Sequence, residues 1–250
     1  MADGGSVGIL IPPSVILILY GIITEQSIGK LFLAGIIPGI MEAVFYIFTL
    51  AYLTFFNPHH GPRGPKTSLR EKLGSLKSAW EVMLLFVVVI GGIYKGIFTP
   101  TEAAGIGAFG TFLFALLRRR LTWERFKLSL ADTVQTTGML FLIILGAMIF
   151  GYFLSVTRLP MAFASAVAQL PVNRYVVLAI ILIITLLLGC IMDSMAIVLL
   201  TIPVFYPLIQ RLGFEPIWFG ILVVRVTEMG LITPPVGLNV FIIKGISGVP

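Results

Sequence analysis

The chemistry this sequence can do sits in its backbone more than in its side chains. A glycine followed four residues later by a proline pair occurs twice, as Gly8-Ile9-Leu10-Ile11-Pro12-Pro13-Ser14 and as Gly230-Leu231-Ile232-Thr233-Pro234-Pro235-Val236. Proline lacks the N–H that a helix interior needs but suits a helix's first turn. Each copy is therefore predicted to end one apolar helix near the glycine and to start another at the prolines. Such a break leaves free carbonyls before it and free N–H groups after it. Carbonyl oxygens suit Na⁺, and the positive end of a half-helix suits an anionic group. Ser14 and Thr233 add hydroxyl oxygens, and Asn239 adds an amide. One copy alone would read as an ordinary proline-initiated helix. Two copies in one apolar chain favour a pair of ligand-holding breaks.

Asp193 lies inside the apolar run Gly189-Cys190-Ile191-Met192-Asp193-Ser194. A carboxylate at membrane depth costs a few kcal/mol or more and is a functional candidate by default. Its alternative role is to cap the helix that follows, and the two roles are compatible. Thr99-Pro100-Thr101-Glu102 reads as a capping box, with proline at the first helical position. Arg225 and Glu228 stand three apart on one helix face and are placed to pair. Glu42 and Lys244 are isolated charges near helix ends, expected to snorkel or to find a partner. His59 and His60 have no third histidine to complete a metal cluster, and Cys190 is the lone cysteine, so no internal disulfide is possible. A membrane enzyme would need more than Asp193 and Cys190. No G-x-x-x-x-G-K-[ST] run provides for ATP.

These breaks must be positioned by elements of a membrane protein. Hydrophobic residues make up 58% of the 250-residue chain and charged residues 11%, with mean hydropathy +1.06. Soluble domains carry about 25% charged residues. The apolar stretches have helical length and lack the alternation of a barrel. The expected elements are a half-length helix over 12–24, a span over 30–56 interrupted at Pro38-Gly39, and a polar loop over 57–78. Spans over 79–97 and 101–117 follow, then a surface helix over 122–134 capped by Thr122. A span over 136–156 and a short segment over 159–171 complete the middle of the chain. A straight helix over 175–209 would run roughly 50 Å at 1.5 Å per residue, so a break is needed, and Gly189 to Ser194 is its expected place. Residues 215–231 and 234–246 have the pattern of a re-entrant hairpin joined at the second proline pair.

The net charge of +6 lies mostly in short loops. The positive-inside rule places the 57–78 loop and the 118–127 segment in the cytoplasm, with two spans between them. Two broken, apolar segments at opposite ends of one chain point to a secondary transporter built from repeated halves. Both ends read as incomplete, so a fragment of a longer protein is expected.

Several motifs together resemble the large membrane subunit of tripartite ATP-independent periplasmic (TRAP) transporters. They are Gly8 to Ser14, Ser27-Ile28-Gly29-Lys30-Leu31-Phe32 with Leu33-Ala34-Gly35, and Phe98-Thr99-Pro100-Thr101-Glu102-Ala103-Ala104. Met192-Asp193 with Pro203 downstream and Gly230 to Asn239 complete the set. The resemblance implies an all-α, multi-span helical bundle with broken helices and re-entrant hairpins, an inverted-repeat elevator-type transporter. On it, residues 1–56 would hold the end of the first hairpin and a following span, and 57–78 the cytoplasmic basic loop. Residues 79–171 would hold scaffold spans and the surface helix, and 172–250 a broken helix and the second hairpin.

It implies further that Na⁺, as coupling ion and with no other cofactor, binds backbone oxygens near Gly8–Ser14 and Gly230–Asn239. The expected site residues are Gly8, Pro12, Pro13, Ser14, Asp193, Ser194, Gly230, Thr233, Pro234, Pro235, Gly237 and Asn239. The implied partners are a periplasmic solute-binding protein, a small four-helix membrane subunit and a carboxylate substrate, such as a C4-dicarboxylate or sialic acid. The implied location is the bacterial inner membrane. The other reading is a stand-alone ion antiporter or anion permease with related broken helices.

Overall fold

The computed structural model describes residues 8–56, 68, 80–168, 171–235, 237 and 239–240. Every extended regular element among them is an α-helix. In chain order they are α1 (Val15–Thr24), α2 (Ile28–Phe56), α3 (Trp80–Tyr94), α4 (Pro100–Leu117), α5 (Trp123–Thr157), α6 (Leu159–Ala168), α7 (Arg174–Gly189), α8 (Ser194–Arg211) and α9 (Pro216–Ile232). Helices α2, α4, α5 and α8 are long and apolar enough to cross a membrane. The chain divides into two compact units, residues 1–46 with 138–250, and residues 47–137. The first unit holds both proline pairs.

In that first unit α1 packs along α8 and α9, and α7 lies beside α9. Leu17, Tyr20, Phe32, Ile197, Ile202, Leu208, Ile209 and Phe219 form its fully buried interior. Polar clasps set the register. Tyr20 donates its hydroxyl to the Pro216 carbonyl at 2.6 Å, and Gln26 Nε2 donates to the Tyr206 hydroxyl at 3.1 Å. The foot of α1 is thereby fixed to the start of α9 and the later half of α8.

Helices α7 and α8 form an antiparallel hairpin. At the far ends, the Tyr175 ring meets the Phe214 ring edge-on at 5.6 Å, and the Arg174 guanidinium lies 5.2 Å over Phe214. The near ends are joined through residues 190–193. The interruption expected over Gly189 to Ser194 is thus present, and the chain reverses there. Sixteen residues in α7 reach about 24 Å, short of a hydrocarbon core of ~30 Å. Helix α8, at 18 residues, is two residues longer and is apolar enough to cross.

In the second unit α3 packs on α4 around Val89, Ile90 and Ala103, with Ile93, Tyr94 and Phe98 against them. The capping box at α4 is formed: Glu102 N–H donates to Thr99 Oγ1 at 3.3 Å, and Thr99 N–H donates to Glu102 Oε2 at 2.7 Å. At the opposite end Arg118 Nε reaches Glu81 Oε1 at 2.8 Å. The pair of helices is therefore antiparallel and clasped at one end by charge.

Three expectations are corrected. α2 runs unbroken through Pro38; the proline costs one backbone bond, and neighbouring turns carry the helix on. The expected surface helix over 122–134 and span over 136–156 are one helix, α5, with no glycine or proline at the join to end the first. Thr122 still caps it, accepting the Arg125 N–H at 3.3 Å. The proline pairs do not start helices: α1 begins at Val15, and after Ile232 the chain is helical again at Asn239. A residue that precedes proline is pushed out of the α region, so Ile11, Pro12, Thr233 and Pro234 stay extended or bent. The 57–78 loop (apart from Ser68), Lys244 and most of 234–246 lie outside the described residues.

Candidate functional site: a hairpin tip against a broken helix

The first break is built as follows. Gly8 to Leu10 are helical, Ile11 to Pro13 bend, and Ser14 caps α1. The Ser14 side chain accepts the Leu17 N–H at 3.3 Å, and Ser14 is 3% exposed. The Pro12-Pro13 peptide is cis. The upstream segment is pressed against α2: a Cβ on Gly35 would stand 2.7 Å from the Leu10 carbonyl oxygen. Only glycine lets α2 come this close to the carbonyl end of that segment.

The second break meets the hairpin tip. A Cβ on Gly230 would lie 2.6 Å from Gly189 Cα and 2.9 Å from the Leu186 carbonyl oxygen. On the other side, a Cβ on Gly189 would lie 3.1 Å from the Thr227 carbonyl oxygen. The two backbones touch, with no side chain between them. Helix α9 ends two residues on, at Ile232. Thr233 is extended at φ −92° and ψ 137°, its N–H bonds the Gly230 carbonyl at 3.0 Å, and its hydroxyl donates to the Met229 carbonyl at 2.5 Å. The Pro234-Pro235 peptide is cis, and Gly237 has φ +57°.

Four residues along the chain from Gly189, Asp193 caps α8, accepting the Met195 N–H at 3.0 Å. Its carboxylate is exposed, whereas Ser194 is buried at 4% exposure. The C-terminal ends of α7 and α9 thus lie side by side, and the N-terminus of α8 begins next to them. Two carbonyl-bearing ends favour a cation, and the adjoining N-terminus favours an anion.

Of the expected site residues, the fold brings Asp193 and Ser194 to Gly230 and Thr233 through the Gly189 crossing. Gly8, Pro12, Pro13 and Ser14 make a separate break in the same unit, backed by α2. Pro234, Pro235, Gly237 and Asn239 fall within or just after the second break. The hydroxyls of Ser14 and Thr233 are both engaged with backbone.

Sequence reasoning overlooked two features. Arg225 reaches Glu42 on α2 as well as Glu228, with Nη1 bonding Glu42 Oε1 and lying 3.1 Å from Glu228 Oε2. Its guanidinium also sits 6.0 Å over the Tyr46 ring. Glu42 and Glu228 are buried, at 5% and 1% exposure. The pairing of Arg225 with Glu228 follows from spacing, but the reach to Glu42 crosses the fold and leaves no local signal. The second feature is Thr227, fully buried beside the crossing, whose hydroxyl has no hydrogen-bond partner among the described residues. Thr227 and Gly230 are small residues one turn apart, which is the local sign of a close helix contact.

Residues 1–250 match the family described as "Tripartite ATP-independent periplasmic transporter, DctM component". The C4-dicarboxylate TRAP transporter large permease protein DctM of Pseudomonas aeruginosa is 38% identical over 251 residues, covering 100% of this chain and 58% of that protein. The sialic acid TRAP transporter large permease protein SiaM of Vibrio cholerae is 35% identical over 249 residues, covering 98% of this chain and 57% of that protein. The 2,3-diketo-L-gulonate TRAP transporter large permease protein YiaN of Escherichia coli is 31% identical, covering 99% of this chain and 58% of that protein. The chain spans a little under three fifths of the length of these relatives. A hairpin tip packed on a proline-broken helix in an all-helical membrane chain is the architecture on which this match falls, and the chain belongs to the DctM component family of tripartite ATP-independent periplasmic transporters.

Proposed function

We propose that this chain forms part of the large permease subunit of a Na⁺-coupled TRAP transporter in the bacterial inner membrane, taking up an organic acid. One observation carries the reading. The Gly189–Gly230 crossing holds a hairpin tip against a helix break in a chain that matches the family along its whole length. Backbone carbonyls at the ends of α7 and α9 would hold Na⁺, and the α8 N-terminus beside them would meet a substrate carboxylate. The first break, Gly8 to Ser14, would supply the other ion site.

Ion binding at the crossing would order the tip and create the anion-holding surface. The Na⁺ gradient would then make uptake directional, because a domain loaded with both ion and acid is the one that moves. The family suits a carboxylate, and relatives are named for C4-dicarboxylates, sialic acid and diketogulonate. A periplasmic binding protein would deliver the acid, and a small membrane subunit would brace the scaffold.

The test is uptake of labelled organic acids into proteoliposomes holding the native permease, with and without its binding protein and small subunit. Uptake that needs both Na⁺ and the binding protein, and is lost on changing Pro234 and Pro235, is expected. Uptake indifferent to the binding protein would replace this reading with a stand-alone antiporter or anion permease.

A further inference from the structure

The second unit, which holds neither proline pair, carries a cluster of cations at one helix turn. Helix α4 ends at Leu117 and α5 begins at Trp123, and the turn between them reads Arg118-Arg119-Arg120-Leu121-Thr122. Arg125 and Lys127 follow in the first turns of α5. Two of these five cations are occupied within the fold. Arg118 pairs with Glu81, and Arg125 Nη1 donates to the Arg120 carbonyl at 3.1 Å. Among the described residues no carboxylate lies within ion-pair reach of Arg119, Arg120 or Lys127.

Residues on either side of the arginine run in sequence, Phe112, Leu116, Leu121, Thr122, Trp123 and Phe126, line a cavity of about 240 Å³. Its walls are almost wholly apolar and its rim is aromatic. Trp123 stacks on Phe126 at 5.7 Å, Phe112 meets Phe126 edge-on at 5.9 Å, and Lys127 Nζ sits 5.5 Å over the indole. Trp123 is nevertheless 70% exposed. Cations at the ends of two apolar helices, with tryptophan at the same level, mark the interfacial zone of a bilayer. The positive-inside rule makes it the cytoplasmic leaflet, whose lipids include anionic ones.

We propose that this corner of the fold binds an anionic diacyl phospholipid. Its phosphate lies among Arg119, Arg120 and Lys127, and its glycerol and upper acyl carbons fill the cavity against Leu116, Leu121 and Trp123. The pairing of chemistries selects this ligand. A soluble phosphate satisfies the cations and leaves the apolar cavity unfilled. A zwitterionic lipid fills the cavity and carries a positive group back toward the arginines. An anionic lipid satisfies both, and the bilayer delivers it at high local concentration.

The experiment uses the native permease, delipidated in detergent and titrated with phosphatidylglycerol, phosphatidylcholine or inorganic phosphate. Lipid retention is followed by native mass spectrometry. Quenching of Trp123 by brominated acyl chains is read as the component lost in Trp123→Phe. Wild type is expected to retain phosphatidylglycerol over phosphatidylcholine and to show the quenching. The triple variant R119Q/R120Q/K127Q is expected to lose that preference by about tenfold or more, and R119K/R120K to keep it. Unchanged preference in the glutamine variant, when that variant melts as wild type does, would overturn the site. So would an equal response to inorganic phosphate, or loss of the retained lipid when the small subunit is present.

Discussion

Gly189 and Gly230 touch backbone to backbone: a Cβ on Gly230 would stand 2.6 Å from Gly189 Cα, where ordinary carbon contacts begin about 3.5 Å apart. The close approach brings the C-terminal turns of α7 and α9 together at the hairpin tip. An alanine at Gly230 must push the helices apart by nearly an ångström, and one at Gly189, whose Cβ would stand 3.0 Å from Gly230 Cα, by about half that. A shift of about an ångström can cost on the order of a hundredfold in a positioned reaction.

Gly230→Ala in the native permease is therefore expected to reduce uptake at least about tenfold while leaving membrane insertion intact. Gly138→Ala and Gly146→Ala are the controls, since a Cβ at either meets nothing within 4 Å. In a helix interior alanine is favoured over glycine by roughly 0.5–1 kcal/mol, so both controls should melt no lower than wild type. Uptake in the Gly230 variant equal to that of the controls would remove the crossing from the transport site.

Arg225 serves two buried carboxylates from two helices, Glu42 on α2 and Glu228 on α9. Removing one partner of a buried pair costs about 3–5 kcal/mol, because the other charge is left behind. Arg225→Leu is expected to lower the melting temperature more than Glu42→Leu does, since Glu228 still answers the arginine in the latter. The double variant Arg225→Leu/Glu42→Leu should be more stable than the sum of the singles, by on the order of 1–3 kcal/mol. Strict additivity in thermal unfolding would mean that the contact contributes nothing.

The capping box at α4 separates stability from transport. Thr99 and Glu102 satisfy each other's backbone N–H groups at an exposed helix start, in the unit without either proline pair. Thr99→Ala should lower stability by about 1 kcal/mol. Ser and Asp at the same position should restore it. The Na⁺ dependence of uptake should not move in any of them, and a shift in that dependence would give Thr99 a role beyond its cap.

The sequence announced some of this well, and the reasons are local. The Thr99 box, the Thr122 cap and the break near Asp193 are fixed by residues within a turn of one another. So is the pairing of Arg225 with Glu228. The unbroken course of α2 past Pro38 was not legible, because a proline that removes one backbone bond reads the same in sequence whether or not the turns around it continue the helix. The merging of the expected surface helix and span into α5 was missed because amphipathic and apolar stretches join without a stop signal. The proline pairs were legible as breaks, but their helix starts were misplaced to the prolines. Each proline pushes the residue before it out of the helix, and Ser14 is the better cap. The glycine crossing and the Glu42 contact join residues far apart in sequence, so no window of sequence contains them.

Asp193 is where capping and ion binding can be told apart. Its carboxylate accepts the Met195 N–H at 3.0 Å and is otherwise exposed, beside the crossing of α7 with α9. Asparagine keeps a cap oxygen at this position and removes the charge, whereas alanine removes both. Capping alone predicts that Asp193→Asn matches wild type and that Asp193→Ala loses about 1 kcal/mol of stability. A carboxylate that also attracts Na⁺ to the neighbouring carbonyls predicts more. Asp193→Asn should then melt like wild type yet need several-fold more Na⁺ for half-maximal uptake. The second pattern is expected, because an exposed carboxylate four residues from the end of α7 adds negative charge where the carbonyl ends of α7 and α9 already favour a cation. Equal Na⁺ dependence in wild type and Asp193→Asn would leave Asp193 as a cap and nothing more.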